Sequence, residues 1–418
     1  MQCWQREQIL FTASVLSCVI PACAWMQTSH VWPSLAQPAS RALRVHGFVA
    51  FPTRHSPPAA RQRASRSLTM SDRPAVHVSC ASVRDRELLL ASAASEDLAL
   101  LNIEGGAAGV SVCDKAVDAV LKPTPEAAFD ASRFHSFLAL RPTRSLGRVL
   151  VHAETLSSTQ ELLFDQCRSP PDGLLCIADR QTKGKGRGSN EWASPAGCLC
   201  FSFVWSVADA ALLPFFQYIV SMALYRAVAQ EAGDAKRLGL RLKWPNDIYI
   251  VKTDSSLTVM STKTKIGGVL CQSTVAAGAV TGKPFRVVAG VGVNVLNSQP
   301  TTCLRDVVAQ HDDETAAALS RERIAAAFCF QFEQLAGELE SQGFNALVSE
   351  YLSQWMHSGQ EVEVQIEDKS QGMQKAVIVG LAPSGFLRAV LQSTGQELEL
   401  HPDGNSLDMM QGLIYTKR

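Results

Sequence analysis

From Gly147 to about Ser358 the chain alternates short apolar runs with longer stretches of helical spacing. Arg148-Val149-Leu150-Val151-His152 and Gly173 to Ala178 read as strands, and Cys198 to Ser206 is apolar enough for a strand buried on both faces. Ser157-Ser158 can cap a helix that starts over Thr159 to Leu163. Phe215 to Ala232 keeps a helical period and stops before Gly233. Strands follow at Leu240 to Lys243, Asp247 to Val251, Lys265 to Gln272 and Arg286 to Val293. Arg321 to Tyr351 is then largely helical with an interruption at Gly343. Several strands succeed one another with no helix between, which predicts an α/β (α+β) domain built on a mixed, largely antiparallel sheet with flanking helices rather than a doubly wound one.

After Gly359 the helical period ends. Glu361 to Ile366 and Glu397 to Leu400 alternate strictly, Lys375 to Val379 and Phe386 to Leu391 are strand-like, and turn residues separate them. Four or five strands over about sixty residues predict a small C-terminal β-barrel. Upstream, Ala75 to Ser79 is strand-like, Arg84 to Ser92 helical and 110–120 rich in Val, a small α/β extension that packs on the main domain or serves as a regulatory arm. The expected organisation is a leader over 1–70, this extension over 71–146, a catalytic domain over 147–358 and a β domain over 359–418.

Composition sharpens the picture at two points. Lys+Arg and Asp+Glu balance at 39 each, so no net field draws the chain to nucleic acid or anionic lipid. The 12 cysteines include no C-x-x-C pair, which argues for reduced, buried thiols over a zinc ribbon or disulfide scaffold. Residues 1–71 carry seven Arg, no Lys and the single acid Glu7, the pattern of an organelle transit segment, although Ile9 to Trp25 is apolar enough to pass for a secretory h-region. Initiation at Met70 would give a leaderless, cytosolic form.

Four segments carry candidate chemistry. The loop Asp179 to Trp192 holds glycines at 184, 186 and 188 with Arg180, Lys183, Lys185 and Arg187, offering backbone N–H groups and positive charge to an anion. A mobile basic loop would look the same. In Lys243-Trp244-Pro245-Asn246-Asp247 the proline fixes a strand junction, and adjacent Asn and Asp oxygens suit Mg²⁺ alongside substrate phosphates, or an ordinary capped turn. Lys265-Ile266-Gly267-Gly268 puts a lysine at the head of a strand whose glycines permit close approach. Gly290-Val291-Gly292-Val293-Asn294 leaves one strand face open, which fits a planar ligand or close strand packing.

In this order the four segments, with Ser194-Pro195-Ala196-Gly197 closing the GRG loop, resemble the biotin protein ligases, the holocarboxylase synthetases. The resemblance covers roughly 147–418, and Asn294 to Leu304 is similar to the plant-type members. It implies a catalytic domain like that of class II aminoacyl-tRNA synthetases with an SH3-like C-terminal barrel. It also implies a two-step reaction in which biotin and ATP give biotinyl-5′-AMP and the biotinyl group passes to a lysine of a carrier domain. By motif position Lys265, Arg187 and Lys243 would be catalytic. Ser158, Thr159, Gln181, Gly184, Lys185, Gly186, Arg187, Lys265, Gly267 and Gly268 would surround biotin; Arg187, Trp192, Lys243, Asn246 and Asn294 would meet the nucleotide. Asp247 and Asn246 would hold Mg²⁺. Family members often carry Asn or His where this chain has Gln160, and bacterial members are richer in Arg where it has Gly188-Ser189-Asn190, which is similar to the eukaryotic style.

The implied partner is the biotin carboxyl carrier domain of acetyl-CoA carboxylase and other carboxylases, without nucleic acid or membrane, the enzyme being a monomer or weak homodimer. The implied address is the plastid stroma or the cytoplasm, a mitochondrial one also fitting the leader. Three rival readings carry less. A biotin-responsive DNA-binding repressor needs a helix-turn-helix that 75–147 does not display. A lipoate or octanoyl transferase lacks the KWPND and GRG-to-Trp pairing. A domain that only binds biotinylated partners would not need Lys265, Arg187 and Asp247 together.

Overall fold

The computed structural model describes residues 77–92, 110–112, 128–166, 170–252, 262–276, 282–365, 372–400, 405–408 and 413–416. The leader and Met70 lie outside them. The first strands and helices are β1 (His77–Cys80), α1 (Val83–Ser92), β2 (Val110–Val112), α2 (Ala131–Ala139), β3 (Val149–Leu156), α3 (Thr159–Glu161), β4 (Leu175–Gln181) and β5 (Cys198–Val207). They are followed by α4 (Leu213–Ala232), β6 (Leu240–Lys243), β7 (Asp247–Lys252), β8 (Thr262–Val275), β9 (Phe285–Asn294), α5 (Leu304–Ala309), α6 (Asp313–Ala318), α7 (Arg321–Gln342) and α8 (Val348–Gln354). The nine strands form one sheet in the order β2-β1-β3-β4-β5-β9-β8-β7-β6. Only β1–β2 and β3–β4 run parallel, so the sheet is mixed and largely antiparallel, as the run of strands without intervening helices predicted.

Period-two burial explains the layers. On β4, Leu175 and Ile177 face the main core while Cys176 and Ala178 face a smaller one beneath Val78, Leu89 and Leu163. On β5, Phe201 and Phe203 meet Phe328 and Phe332 of α7 edge-on, with ring centroids 4.7–5.6 Å apart. α4 is apolar nearly all round because it lies in that core, with Phe216, Ile219, Val220, Met222 and Leu224 buried. α7 starts where the Ser320 hydroxyl accepts from the Arg323 N–H at 3.2 Å.

Several short elements had no counterpart in the sequence reading. α2 is capped by Asp130, whose carboxylate accepts from the Arg133 N–H at 3.0 Å, and it sends Phe134 and Leu138 into the main core. β1, by contrast, stands where Ala75 to Ser79 read as strand-like, and it extends the main sheet directly through β3. A buried charge cluster fastens this region: Asp179 accepts from Arg321, His152 and the Phe129 N–H at 2.8–2.9 Å. Burial pushes the Asp179 carboxyl up, but bonding from His152 and the charge of Arg321 outweigh it and hold the group below its ordinary value. Among the described residues the cysteines at 80, 176, 198, 200, 271, 303 and 329 are free thiols.

A second sheet comprises β10 (Glu361–Gln365), β11 (Met373–Leu381), β12 (Leu387–Leu391), β13 (Glu397–Leu400), β14 (Asn405–Asp408) and β15 (Leu413–Thr416), ordered β13-β12-β11-β10-β15-β14. Six strands stand where the sequence pattern predicted four or five. The segment leading into this sheet is latched to the main one: the Met356 N–H donates to the Leu242 carbonyl, and the Trp244 N–H to His357 Nε2, each at 3.0 Å. Because a backbone N–H can only donate, Nε2 of His357 is the bare nitrogen and Nδ1–H donates to Gln360 Oε1 at 2.8 Å. Tyr218 completes the latch, accepting from the Trp244 indole at 2.9 Å and donating to the Gly385 carbonyl at 2.6 Å.

Burial lowers His357 to about 4, with Lys243 and Lys263 adding to the effect, and burial also lowers His135 to about 4. Each imidazole is neutral in the folded chain and takes up a proton near pH 6.5 when unfolded, so the unfolded state binds more protons between those values. Stability therefore falls as pH drops from about 6.5 to 4, by up to roughly 1.4 kcal/mol per pH unit for each histidine. Thermal melts across that range should show the decline, and a His357→Gln variant, whose amide oxygen can still accept from Trp244, should show a shallower one.

Candidate active site

The glycine-rich loop is built tightly. The N–H groups of Thr182 and Lys183 donate to the carbonyls of Leu156 and Ser157, Trp192 N–H returns to the Gly184 carbonyl at 2.9 Å, and Gly186 N–H reaches the Asn190 carbonyl at 2.8 Å. The segment is a narrow hairpin with Arg187 at its tip and Gly188 at φ +63° in the turn. Gly184 is required by the crossing itself, since a Cβ there would stand 2.3 Å from the Trp192 carbonyl oxygen.

This hairpin closes over a cavity of about 490 Å³ whose floor is the face of β5, β9 and β8 turned from α4 and α7. On β9 the floor is backbone: a Cβ at Gly292 would lie 2.5 Å from the Trp192 ring and one at Gly290 2.7 Å from Gln160 Oε1. A chain of polar side chains runs along one end. Gln160 Oε1 accepts from Ser202 at 3.1 Å, Ser202 and Thr159 hydroxyls meet at 2.9 Å, and Gln181 Oε1 accepts from the Thr159 N–H at 2.9 Å. Gln181 Nε2 donates onward to Ser194 at 3.0 Å. β4 extends through Gln181, past the loop start expected at 179, and the strand is what holds this amide in place. Ser158 is buried as the cap of α3, its hydroxyl accepting from the Glu161 N–H at 3.4 Å. α3 itself is only three residues long before the chain widens into a looser helical turn over Leu162–Gln166.

The other end is charged. Lys265 Nζ pairs with Asp247 Oδ1 at 2.7 Å and stands 5.7 Å from the Trp192 ring centroid. The β7–β8 register slips by one residue, Ile248 opposing Gly267 and Tyr249 opposing Lys265, so Ile266 bulges out of the pairing and is buried in the core. The bulge turns Lys265 to the cavity side, where a Cβ on Gly268 would lie 3.3 Å from its ammonium. Asn246 donates to the Val269 carbonyl at 2.5 Å and accepts from Arg187 Nη1 at 3.2 Å, bridging hairpin tip and strand junction. Lys243 lies over the Tyr249 ring. Four cations, Lys185, Arg187, Lys243 and Lys265, line the cavity against the carboxylates of Glu191 and Asp247, a balance that draws a polyanion.

The site residues that the resemblance implies meet in this one cavity except three, and the loop cations Arg180 and Lys183 do not line it either. Gly184 and Gly267 are packing positions, the latter 3.1 Å in Cβ terms from the Gly292 carbonyl. Asn294, expected at the nucleotide, is turned into the loop after β9: its Nδ2 donates to Thr301 Oγ1 and the Thr302 carbonyl at 3.1 Å and its Oδ1 accepts from Asn297 at 2.9 Å. Thr301 in turn donates to the Lys265 carbonyl at 3.1 Å, so Asn294 supports the site at one remove. Nor do Asn246 and Asp247 form a ready metal cage, because Asn246 Oδ1 and Asp247 Oδ1 already face the cations Arg187 and Lys265. Ser202 was not foreseen. Its signal is the alternation on β5, where Cys198, Cys200 and Ser202 share the face opposite Leu199, Phe201 and Phe203.

The sequence model of the Biotin/lipoate A/B protein ligase family matches residues 152–294. The chain is 39% identical over 279 residues to biotin–protein ligase 1, chloroplastic, of Arabidopsis thaliana, spanning 66% of this chain and 71% of that protein. It is 37% identical over 296 residues to biotin–protein ligase 2 of the same plant, spanning 70% of this chain and 83% of the relative. Among solved structures it is similar to the biotin protein ligase from Aquifex aeolicus in complex with biotin and ATP, at 22% identity and a TM-score of 0.46, covering 60% of this chain and 95% of that one. With relatives of this identity aligned over more than two thirds of their own length, the chain belongs to the biotin protein ligase family.

Proposed function

We propose that this enzyme activates biotin at the cavity beneath the Gly184–Trp192 hairpin and passes it to a carrier lysine, with Lys265 and Arg187 at the reacting groups. The observation that carries the assignment of roles is the division of one cavity into an amide-and-hydroxyl end and a four-cation end. A ureido ring needs donors and acceptors side by side; a carboxylate approaching a triphosphate needs cations. The carboxylate oxygen of biotin attacks the α-phosphorus of ATP, the bond to the β-phosphate oxygen breaks and pyrophosphate leaves. The lysine amine of the carrier then attacks the acyl carbon, AMP departs with the bond electrons, and the amine loses a proton.

Lys265 and Arg187 are held ready by Asp247 and Asn246 and exchange those partners for phosphate and carboxylate oxygens. A cation about 4 Å from a phosphate at an effective dielectric near 20 contributes roughly 4 kcal/mol of attraction, enough to govern the first step. Lys243 stands at the same end for the leaving phosphates. Mg²⁺ would arrive with the triphosphate, held by the phosphates and Asp247, and would neutralise charge on the phosphates. The acceptor is a carboxyl carrier domain such as that of acetyl-CoA carboxylase, and the compartment is the plastid, in keeping with the chloroplastic relative and the Arg-rich leader. The polar floor favours biotin over lipoate, whose dithiolane offers nothing to hydrogen-bond.

Biotin-dependent ATP–pyrophosphate exchange tests the first step. Lys265→Ala should lower exchange about 10²–10³-fold with the fold intact by circular dichroism; exchange at wild-type rates would remove Lys265 from the reaction. Arg187→Ala should retain adenylation while releasing biotinyl-AMP, read as free adenylate by chromatography of a single-turnover mixture; adenylate that stays bound would count against the assigned grip. Gly292→Val, whose branched side chain must displace the Trp192 ring, should abolish exchange while shifting the indole fluorescence, and an unshifted, active variant would contradict the packing.

A further inference from the structure

Three of the four cations that line the cavity are held by oxygens: Lys185 by Asp165 at 3.4 Å, Arg187 by Asn246 at 3.2 Å and Lys265 by Asp247 at 2.7 Å. The fourth, Lys243, stands over an aromatic face, its ammonium 5.4 Å from the centroid of the Tyr249 ring. The β6–β7 pairing dictates this contact. Lys243 opposes Asp247 and Arg241 opposes Tyr249, so Tyr249 is the diagonal neighbour of Lys243 on one face of the sheet, while Leu242, Ile248 and Ile250 point into the core on the other. On its far side Tyr249 opposes Lys265 of β8, so its strand lies between the two that carry lysines to the charged end. The ring is 8% exposed, and burial together with the charge of Asp247 pushes its hydroxyl up to about 12. At neutral pH it is therefore an uncharged phenol, and what it offers Lys243 is the negative face of a ring.

We infer that Tyr249 is a positioning residue whose ring carries the Lys243 ammonium toward the distal phosphates of ATP and the pyrophosphate that leaves. The inference rests on the phosphate role proposed above for Lys243. A carboxylate that holds a lysine must be displaced when a phosphate binds, as Asp247 is from Lys265 on that reading. An aromatic face needs no such exchange. It has no net charge to cancel that of the lysine, it covers one side of the ammonium, and the remaining N–H donors stay available to phosphate oxygens. A lysine stem is long and flexible, so a ring beneath its head narrows the positions it samples before substrate arrives. The contribution is about two- to fivefold in affinity for a diphosphate. It falls on ATP and pyrophosphate and leaves biotin unaffected, because Lys243 is assigned to the phosphates alone.

The test uses the full chain in ATP–pyrophosphate exchange, with KM for pyrophosphate, ATP and biotin measured separately and melting temperatures alongside. Tyr249→Phe is the reference for a series of phenylalanines with successive ring fluorines at the same position, which keep the shape while draining negative charge from the ring face. Tyr249→Phe should keep KM for pyrophosphate within about twofold of wild type. The fluorines should raise KM for pyrophosphate and ATP stepwise, to about fivefold above Tyr249→Phe, with KM for biotin constant within about twofold. Lys243→Met should raise both phosphate KM values about tenfold, and on that background the series should be flat, because the ring has no cation left to hold. A purely structural role for Tyr249 would not follow the charge of the ring face. A series that is flat with Lys243 present, or equally steep with Lys243→Met, would overturn the proposal. Unchanged KM values in Lys243→Met would refute the phosphate role of Lys243 and this inference with it, whereas a flat series beside a damaging Lys243→Met would remove Tyr249 alone. Since the fluorinated residues conserve volume, the outcome does not depend on a truncated variant that fails to fold.

Discussion

Gly268, Gly290 and Gly292 strip the side chains from one patch of the main sheet, and the Trp192 indole, the Gln160 amide and the Lys265 ammonium occupy the space that Cβ atoms would take. Each of those groups is buried or held because backbone lies beneath it. A glycine in a strand costs stability, and three in adjacent strands cost more, so the opposite face must compensate. It does so with Ile266, Val269, Val291 and Val293 packed into the core that α4 and α7 cover. One sheet thus carries an apolar face that stabilises it and a bare face that floors the cavity.

The bare face would be useless if the cations around it moved freely. Lys265 is aimed by a bulge, Arg187 by a hairpin whose tip leans on Asn246, and Asn246 by paired bonds with Val269. The junction that carries Lys243, Asn246 and Asp247 is braced from behind by Trp244, which Tyr218 and the neutral His357 hold. His357 belongs to the segment entering the second sheet and Tyr218 also bonds Gly385 within it, so the C-terminal strands support the charged end without lining it.

How much of this was legible follows from what kind of physics each feature uses. Strands β4 to β9 and the long helices α4 and α7 announce themselves by period, and the four motif segments by residue type. The cavity floor did not, because Ser202 hides in an apolar run and its face is defined by the partner strand β9. α2 escaped notice since its helix is nine residues long and its stability comes from burying Phe134 and Leu138 against α7, a contact that joins positions far apart in the chain. Asn294 was read as a ligand residue from its place after two glycines. Its amide instead answers to Thr301, Thr302 and Asn297, partners that only the closed loop supplies.

The pairing of Lys265 with Asp247 and of Arg187 with Asn246 also bears on what such a site can do before substrate arrives. Unpaired, four cations converging on one cavity would repel each other and swing outward into water. On the proposed reading, Lys265 and Arg187 are held by Asp247 and Asn246 beside the place the phosphates take, and little movement is needed to exchange those partners for phosphate oxygens. On that reading, the reorganisation that would otherwise accompany charge development at the α-phosphorus is completed during folding. Asp247 is 18% exposed and Lys265 38%, so the pair is wet enough to open to a stronger anion yet shielded enough to remain oriented until one comes.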